Sequence, residues 1–495
     1  MLTKKYNEQT EMVMCTMEQI VPQNSIFRKI DKYIDFSFIY EEVKELYSQD
    51  NGRPSIDPIV LFKLVFIQAL DGIKSMRRTC EKIKVDAEYR WFLGIPFGYD
   101  TPNYSTFSKN YERRFKGTQI FENIFVNIVE QAIQYKLVDG GCFFTDSTHK
   151  KANANKNRYH EETVEYVKKR NLELEAEINE QRIKDGKKEF EFGEKIEEKK
   201  VKVSDTDHES GYYHRDNKEK GFMYLDHRTV DIQNNIIVDC FVTKGNIHDS
   251  VPFISRAEYI KNKYPSFDPK EWALDSGYNS IEIKKYFEDN NIFGVIGYKK
   301  TSREKTSVKK YEFKYDEKYD RYICPRTGVT LEYSGTISRD GYKKYYNKQN
   351  CNGCPLAKEC HPKTKYRVIN RHIRERYNEK ARERRLSYHG KELYNCRKQT
   401  VERSFADSKN NHGYRFAMYK GVEKNQNYTW LICAAQNMKI IAIKCKNKGK
   451  VPLKRGTKSS IFNKILKFII FYRFFKENNK PSKYFLLGLS TFWTY

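Results

Sequence analysis

Two short apolar runs, Gly141-Cys142-Phe143-Phe144-Thr145 and Trp272-Ala273-Leu274, each deliver an aspartate, Asp146 and Asp275. Runs of this kind, bounded by polar residues, read as strands buried on both faces. What lies between and after them sets the fold class. Phe222 to Asp231 and Ile236 to Val242 are strand-like, and Asn234-Asn235 between them reads as a hairpin turn. A helix is predicted from about Ser250, another opens at Tyr278-Asn279-Ser280, and Ile292 to Tyr298 is a further buried strand. The order strand, hairpin, helix, strand, helix, strand requires an α/β core. Such sheets put functional side chains where strands end and loops begin.

The flanking sequence has other textures. Asp57-Pro58 is a helix start, with Asp57 as cap and Pro58 in the first turn, followed by Ile59, Leu61, Phe62, Leu64, Val65 and Phe66. Further helices are predicted from Ser75, from near Asp86 and over Asn103 to Phe115, with Gly72 and Gly94-Ile95-Pro96 as breaks. Residues 1–130 are therefore expected to form an all-α domain with basic faces suited to DNA. The core is expected over 140–445, with insertions at about 150–215 and 299–392. Within the first, residues 160–200 are densely charged and predicted to be a solvated helix or helical hairpin. Cys396 to Asn411 reads as one helix with Glu402 in its middle, stopped at His412-Gly413, and Leu431 to Ala442 as an apolar helix packing on the sheet. Residues 446–495 form a basic, aromatic tail with no assigned role.

Charge narrows the partners. Among 495 residues, Lys and Arg number 92 against 65 Asp and Glu, a formal net charge of +27. That surplus argues against an acidic binding protein or a general metabolic enzyme and suits a partner lined with phosphates. With 39% hydrophobic and 15% aromatic residues the chain is no disordered basic tail. No secretory leader and no uninterrupted membrane-spanning run is read, so the expected compartment is the reducing cytoplasm. Eleven cysteines over this length are no disulfide framework. Cys324, Cys351, Cys354 and Cys360 are a candidate structural Zn²⁺ set, built on the Cys-x₂-Cys pair at 351 and 354, with His361 able to replace one thiol. A redox role for that pair lacks a thioredoxin-like context.

Asp146, Asp275 and Glu402 are the chemical candidates. Cutting or joining a phosphodiester needs an activated attacking oxygen and a stabilised leaving oxygen, which two carboxylate-bound divalent ions supply together. A single Asp after a strand is more often a turn or cap; three acids from separate elements can converge. In Asn246-Ile247-His248-Asp249, Asp249 is expected to cap the helix that follows.

Taken with their neighbours, these stretches resemble the DDE transposases of bacterial insertion sequences. The resemblance rests on Phe144-Thr145-Asp146-Ser147-Thr148, on Leu274-Asp275-Ser276-Gly277-Tyr278, on Arg397-Lys398-Gln399-Thr400-Val401-Glu402-Arg403-Ser404-Phe405, and on the helical segment from Arg53 to Phe115. It implies an RNase H-like catalytic core carrying helical and zinc-ribbon-like insertions. It also implies an acidic triad of Asp146, Asp275 and Glu402 holding Mg²⁺ or Mn²⁺, as two ions in the family's manner of working, and DNA contacts from Lys398, Arg403 and Lys409. Lys398 is set on the basic position that precedes the acid, and Lys409 lies two turns beyond Glu402 on the same face. Tyr394 is left unassigned because its spacing departs from the family form. The partners implied are terminal inverted repeats, target DNA and a second copy of the chain, in a nucleoid-associated bacterial setting. Two other readings stay open: a DNA-binding relative without catalysis, and a metal-dependent nuclease of the same fold.

Overall fold

The computed structural model describes residues 14–48, 54–167, 170–194, 196–214, 219–298, 308–362 and 364–453. Most of the 446–495 tail therefore lies outside the described residues.

The chain begins with helices α1 (Met17–Ile20), α2 (Ile26–Tyr33), α3 (Phe38–Val43), α4 (Pro58–Leu70), α5 (Met76–Val85), α6 (Ala87–Leu93), α7 (Tyr104–Asn110) and α8 (Ile120–Gln134). Their starts follow the expected chemistry. Asp57 accepts the Ile59 N–H at 2.7 Å with Pro58 at the first position, and Ser75, Asp86 and Asn103 cap α5, α6 and α7. Gly94 ends α6 with φ of +69°, a left-handed conformation that glycine adopts without strain.

The central sheet follows. Its strands are β1 (Cys142–Lys151), then, beyond an excursion through β2 (Tyr159–Val167), α9 (Leu172–Lys184) and β3 (Ile196–Ser204), β4 (Gly211–Tyr213), β5 (Gly221–Asp231) and β6 (Ile237–Lys244). Helix α10 (Phe253–Lys263), β7 (Glu271–Leu274), α11 (Ile281–Asp289) and β8 (Phe293–Ile296) complete it. Read across, the order is β6-β5-β1-β7-β8, with short β4 also on β5. β5 is antiparallel to both β1 and β6, whereas β7 and β8 run parallel to β1. Asn235 takes φ of +62° in the predicted hairpin turn.

Two expectations are corrected here. β1 does not stop at Asp146 but runs on to Lys151. The polar run Asp-Ser-Thr-His-Lys-Lys loses its apolar pattern, yet its pairing with buried β5 continues to Lys151↔Met223. Residues 160–200 are not a helical hairpin either: β2 and β3 pair antiparallel from Tyr159↔Ser204 to Val167↔Ile196, with α9 between them. Alternation at Val201 and Val203, and β-branched Thr163 and Val164 opposite, outweigh the charge density.

A second, all-antiparallel sheet carries the cysteine block, in the order β13-β12-β11-β10-β9. Its strands are β9 (Lys314–Asp316), β10 (Arg321–Ile323), β11 (Thr330–Ile337), β12 (Tyr342–Tyr346) and β13 (Val368–His372), with the short helices α12 (Lys348–Asn352) and α13 (Ala357–Cys360) before β13. Phe313, Tyr322, Leu331, Tyr345 and Ile369 make its small core. The two insertions touch: Arg374 donates to both carboxylate oxygens of Glu177 on α9 at 2.9 Å.

The chain then forms α14 (Glu375–Leu386), α15 (Tyr388–Cys396), α16 (Val401–Asn411) and the 26-residue α17 (Val422–Asn447). Helix α17 packs against α2, α4 and α8 and also against β6. The N-terminal helices and the main sheet thus share one apolar core. Among the described residues no helix is long and apolar enough to cross a membrane.

Lys150 illustrates how tightly β1 is enclosed. Its side chain is fully buried, with Nζ 3.3 Å from the Tyr414 hydroxyl and 4.3 Å from the centre of that ring. Burial pulls its ammonium down to about 7, against the opposing pull of Asp226 and with Arg228 adding to the fall. The folded state therefore binds fewer protons than the unfolded chain between about pH 7 and the ordinary lysine range near 10.4. Stability from this residue rises as pH climbs through that window, and the full penalty of a buried charge is felt below it. Lys150→Met is accordingly expected to raise Tm at pH 6, with the gain shrinking toward pH 9; equal gains at both values would contradict this.

Candidate active site

Parallel register brings the two aspartates together. The β1–β7 ladder ends at Thr145↔Leu274, so Asp146 and Asp275 leave it side by side, on strands about 4.8 Å apart. The end of the ladder is fixed by Trp272, whose Nε1 donates to Thr145 Oγ1 at 2.8 Å.

Glu402 arrives from a helix that is broken, which corrects the single helix expected over 396–411. A short 3₁₀ turn (Arg397–Gln399) separates α15 from α16, and Thr400 between them takes φ −113°, ψ −99°. Its hydroxyl donates to the carbonyls of Cys396 (2.9 Å) and Arg397 (3.3 Å), side-chain bonding that competes with a continuous helix. Glu402 consequently stands in the first turn of α16, not mid-helix.

The break turns Arg397 into the space between the acids. Its guanidinium lies 2.6 Å from Asp146 Oδ2, 3.4 Å from Asp275 Oδ1 and 3.9 Å from Glu402 Oε1. Side-chain exposure grades outward, from 5% for Arg397 and 16% for Asp146 to 43% for Asp275 and 48% for Glu402, so the cluster opens to solvent on the Asp275–Glu402 side. Tyr394 supports it: its hydroxyl accepts from Arg397 Nη1 at 3.0 Å and donates to Asp275 Oδ1 at 3.3 Å.

Burial pushes the Asp146 carboxyl up to about 6, against the Arg397 charge and the Ser147 N–H (2.8 Å) that favour its ionised form; Asp275 and Asp249 add to the rise. Asp249 was expected to cap α10, yet Pro252 holds that position and Asp249 Oδ1 accepts the Ser147 hydroxyl at 2.6 Å. A Cβ at Gly277 would lie 2.3 Å from Asp249 Oδ2, so the turn after Asp275 can approach this carboxylate only as glycine. Three carboxylates thus face one guanidinium, and Asp249 stands behind Asp146 through Ser147.

Asp146, Asp275 and Glu402 are therefore gathered, but around Arg397 and not directly on one another. Among the described residues no three His, Cys, Asp or Glu side chains stand close enough to form a metal-holding group. Lys409 is half-buried and donates to Thr148 Oγ1, two residues beyond Asp146. Lys398 is exposed and away from the acids' hydrogen bonds. Arg403 lines a separate groove of about 480 Å³ with Asn235, Asp407 and Lys439. Arg397 and Asp249 were the residues missed. A straight helix would have set position 398 beside Glu402, and the Thr400 break sets 397 there instead.

The cysteines are free thiols. Cys324 follows β10, Cys351 and Cys354 lie on and just after α12, and Cys360 ends α13. Burial raises the Cys360 thiol, against the Arg367 charge that favours its ionised form.

Comparison with known proteins bears on these elements. Residues 16–113 match the family model described as Transposase domain (DUF772), and residues 323–442 match the one described as Transposase DDE domain. The chain carries a DDE transposase domain. The second match encloses Cys324, Cys351, Cys354, Cys360, Arg397, Glu402 and Lys409, and begins after both aspartates. No curated protein matches the chain significantly. Among solved structures, a piggyBac transposase synaptic complex with hairpin DNA aligns over 92% of this chain and 82% of that one at 10% identity and a TM-score of 0.35, too loose a likeness to carry an argument.

Proposed function

We propose that this transposase cleaves DNA at the ends of its element and joins them to target DNA, with Asp146, Asp275 and Glu402 as the groups that hold divalent ions. The observation that carries this reading is the convergence of three carboxylates, from β1, β7 and α16, on a single cationic group. The strand order, with one antiparallel hairpin and two parallel strands after it, supports an RNase H-like core. Carboxylate oxygens that already surround one positive group fit a hard cation such as Mg²⁺ or Mn²⁺. Ions bound there would polarise the reacting phosphate and activate the attacking oxygen.

The chain's own residues do the rest. Asp146, the most enclosed acid, fixes the floor of the site, while Asp275 and Glu402 present its open side. Lys409, held by Thr148 next to Asp146, is placed to meet a phosphate flanking the reacting one. Exposed Lys398 and Arg403 extend the basic surface. The N-terminal helices are the candidates for reading terminal repeats, and two ends held together call for two copies of the chain. A cytoplasmic, nucleoid-associated setting follows from that substrate.

The test is cleavage and strand transfer on DNA carrying the flanking inverted repeats, with Mg²⁺ or Mn²⁺, comparing the wild type with Glu402→Gln. Nicked and joined products, lost in the variant, are expected. End binding without products in either protein would point to a non-catalytic binder, and cutting without joining to a nuclease.

The same reading assigns Zn²⁺ to Cys324, Cys351, Cys354 and Cys360, supported by the Cys-x₂-Cys pair at 351 and 354 and by Cys324 and Cys360 packing on the same small core. One zinc per chain is expected by elemental analysis. Cys354→Ser should lose it and lower the melting temperature; an unchanged metal content would remove the assignment.

A further inference from the structure

We propose that Arg397 makes tight metal binding depend on DNA: its guanidinium stands among the acids until a DNA phosphate takes it, and only then do the carboxylates accept divalent ions fully. This rests on the reading of Asp146, Asp275 and Glu402 as metal holders and adds a positioning residue to it.

Three observations carry the inference. The first is competition for the same oxygens. Arg397 Nη2 is within 2.6 Å of Asp146 Oδ2 and 3.9 Å of Glu402 Oε1, and Nη1 is 3.4 Å from Asp275 Oδ1. A divalent ion ligated by those atoms would sit against a guanidinium that is 5% exposed, where like charges repel strongly. The second is that the arrangement is incomplete. Arg397 Nε is buried with no hydrogen-bond partner, and the contacts to Asp275 and Glu402 are long. The guanidinium fork is matched to a carboxylate or a phosphate in two-point contact, and here it has neither. The third is position. Arg397 sits on a 3₁₀ turn between two helices, bounded by the non-helical Thr400, where the chain enters the helix that carries Glu402.

A phosphate entering on the open Asp275–Glu402 side offers the fork a better partner and draws it outward. The acids then lose their resident positive charge and favour a replacement. Linkage makes the effect reciprocal: whatever factor DNA adds to metal affinity, metal adds to DNA affinity. The competing role for Arg397 is purely structural, a staple that keeps the acids together. The two roles predict opposite signs, since removing a competitor tightens metal binding and removing a staple weakens it.

The experiment titrates Mn²⁺ into the full-length protein and reads free Mn²⁺ by electron paramagnetic resonance, with and without a terminal-repeat duplex, subtracting the duplex alone. In the wild type the duplex is expected to tighten Mn²⁺ binding about tenfold, within the range typical of coupled sites. Arg397→Gln is expected to bind Mn²⁺ about tenfold more tightly without DNA and to gain little from the duplex. Arg397→Lys, which keeps the charge without the fork, should stay weak without DNA. Circular dichroism checks that each variant is folded. Mn²⁺ binding in folded Arg397→Gln that equals or falls below the wild type overturns the proposal, as does a wild type indifferent to the duplex. Glu402→Gln separates the two levels: if it loses Mn²⁺ while Arg397→Gln shows no gain, the acid site stands and only the coupling fails. If Glu402→Gln binds Mn²⁺ as the wild type does, both fall.

Discussion

Asp275→Asn should reduce DNA cleavage by about a thousandfold or more while leaving the melting temperature within a degree or two of the wild type. Removing an outer partner of a metal ligand typically costs 10–100-fold, so removing a ligand itself should exceed that. The substitution keeps the side chain's shape and takes away its charge. The structure gives the reason to expect little effect on folding. Asp275 is partly exposed, its backbone is set by the buried β7 ladder, and its contacts to Tyr394 and Arg397 are long, at 3.3 Å and 3.4 Å. Partly exposed polar changes of this kind usually shift stability by about 0.5 kcal/mol or less. Binding to a terminal-repeat duplex should be retained, because the phosphate contacts expected of Lys409 and the N-terminal helices are untouched. The measurements are product formation on labelled duplex, Tm and duplex affinity. Activity within tenfold of the wild type would remove Asp275 from the proposed triad. A large fall in Tm would recast it as a folding residue.

The part of this site legible in the sequence is the part fixed by pairing. Asp146 and Asp275 each follow a short apolar run, and once those runs pair as parallel neighbours their next residues must lie side by side. The capping residues Asp57, Ser75, Asp86 and Asn103 were equally readable, since each offers an oxygen to the first turn of an apolar or amphipathic run. The Thr400 break was not. Arg397, Lys398, Gln399 and Thr400 all tolerate a helix, and only the tertiary setting lets the Thr400 hydroxyl capture the Cys396 and Arg397 carbonyls. Because a break shifts which residue faces Glu402, one local miss moved the basic partner from Lys398 to Arg397. Asp249 escaped for a similar reason: a cap is the commonest fate of such an Asp, and only the fold brings it beside Ser147. In β2 and β3 the period-2 pattern was present but masked by Glu and Lys on an exposed ribbon.

Arg228→Ala should destabilise the chain by about 3–5 kcal/mol, the range for stripping one partner from a buried ion pair. Arg228 is fully buried on β5, opposite Asp146 in the β1 register. Its Nε and Nη2 pair with Asp226 Oδ2 at 2.9 Å and 2.8 Å, and Nη1 donates to Ser404 (3.1 Å), Ser408 (2.8 Å) and Gln436 (2.9 Å). One side chain therefore ties β5 to α16 and α17. Asp226 is just as buried, and its Oδ1 has no partner even in the wild type, so alanine at 228 would strand a whole carboxylate. Ser404 and Ser408 lie one turn apart on α16, the helix whose first turn carries Glu402. Losing their anchor should let α16 shift against the sheet, so cleavage should fall even at temperatures where the variant is folded. The double variant Asp226→Leu, Arg228→Met separates the two effects. Replacing both charges with apolar groups removes the stranded carboxylate and should recover much of the lost stability, as buried pairs exchanged for hydrophobic residues often do. It cannot restore the bonds to Ser404 and Ser408. Urea unfolding and cleavage assays on the single and double variants should show stability returning while activity stays low. If activity returned with stability, the anchor would matter only through folding, and α16 would be held in place by its remaining contacts: the packing of Val401 and Phe405, the Gln436 bonds to Ser404 and Ser408, and the Lys409 bond to Thr148.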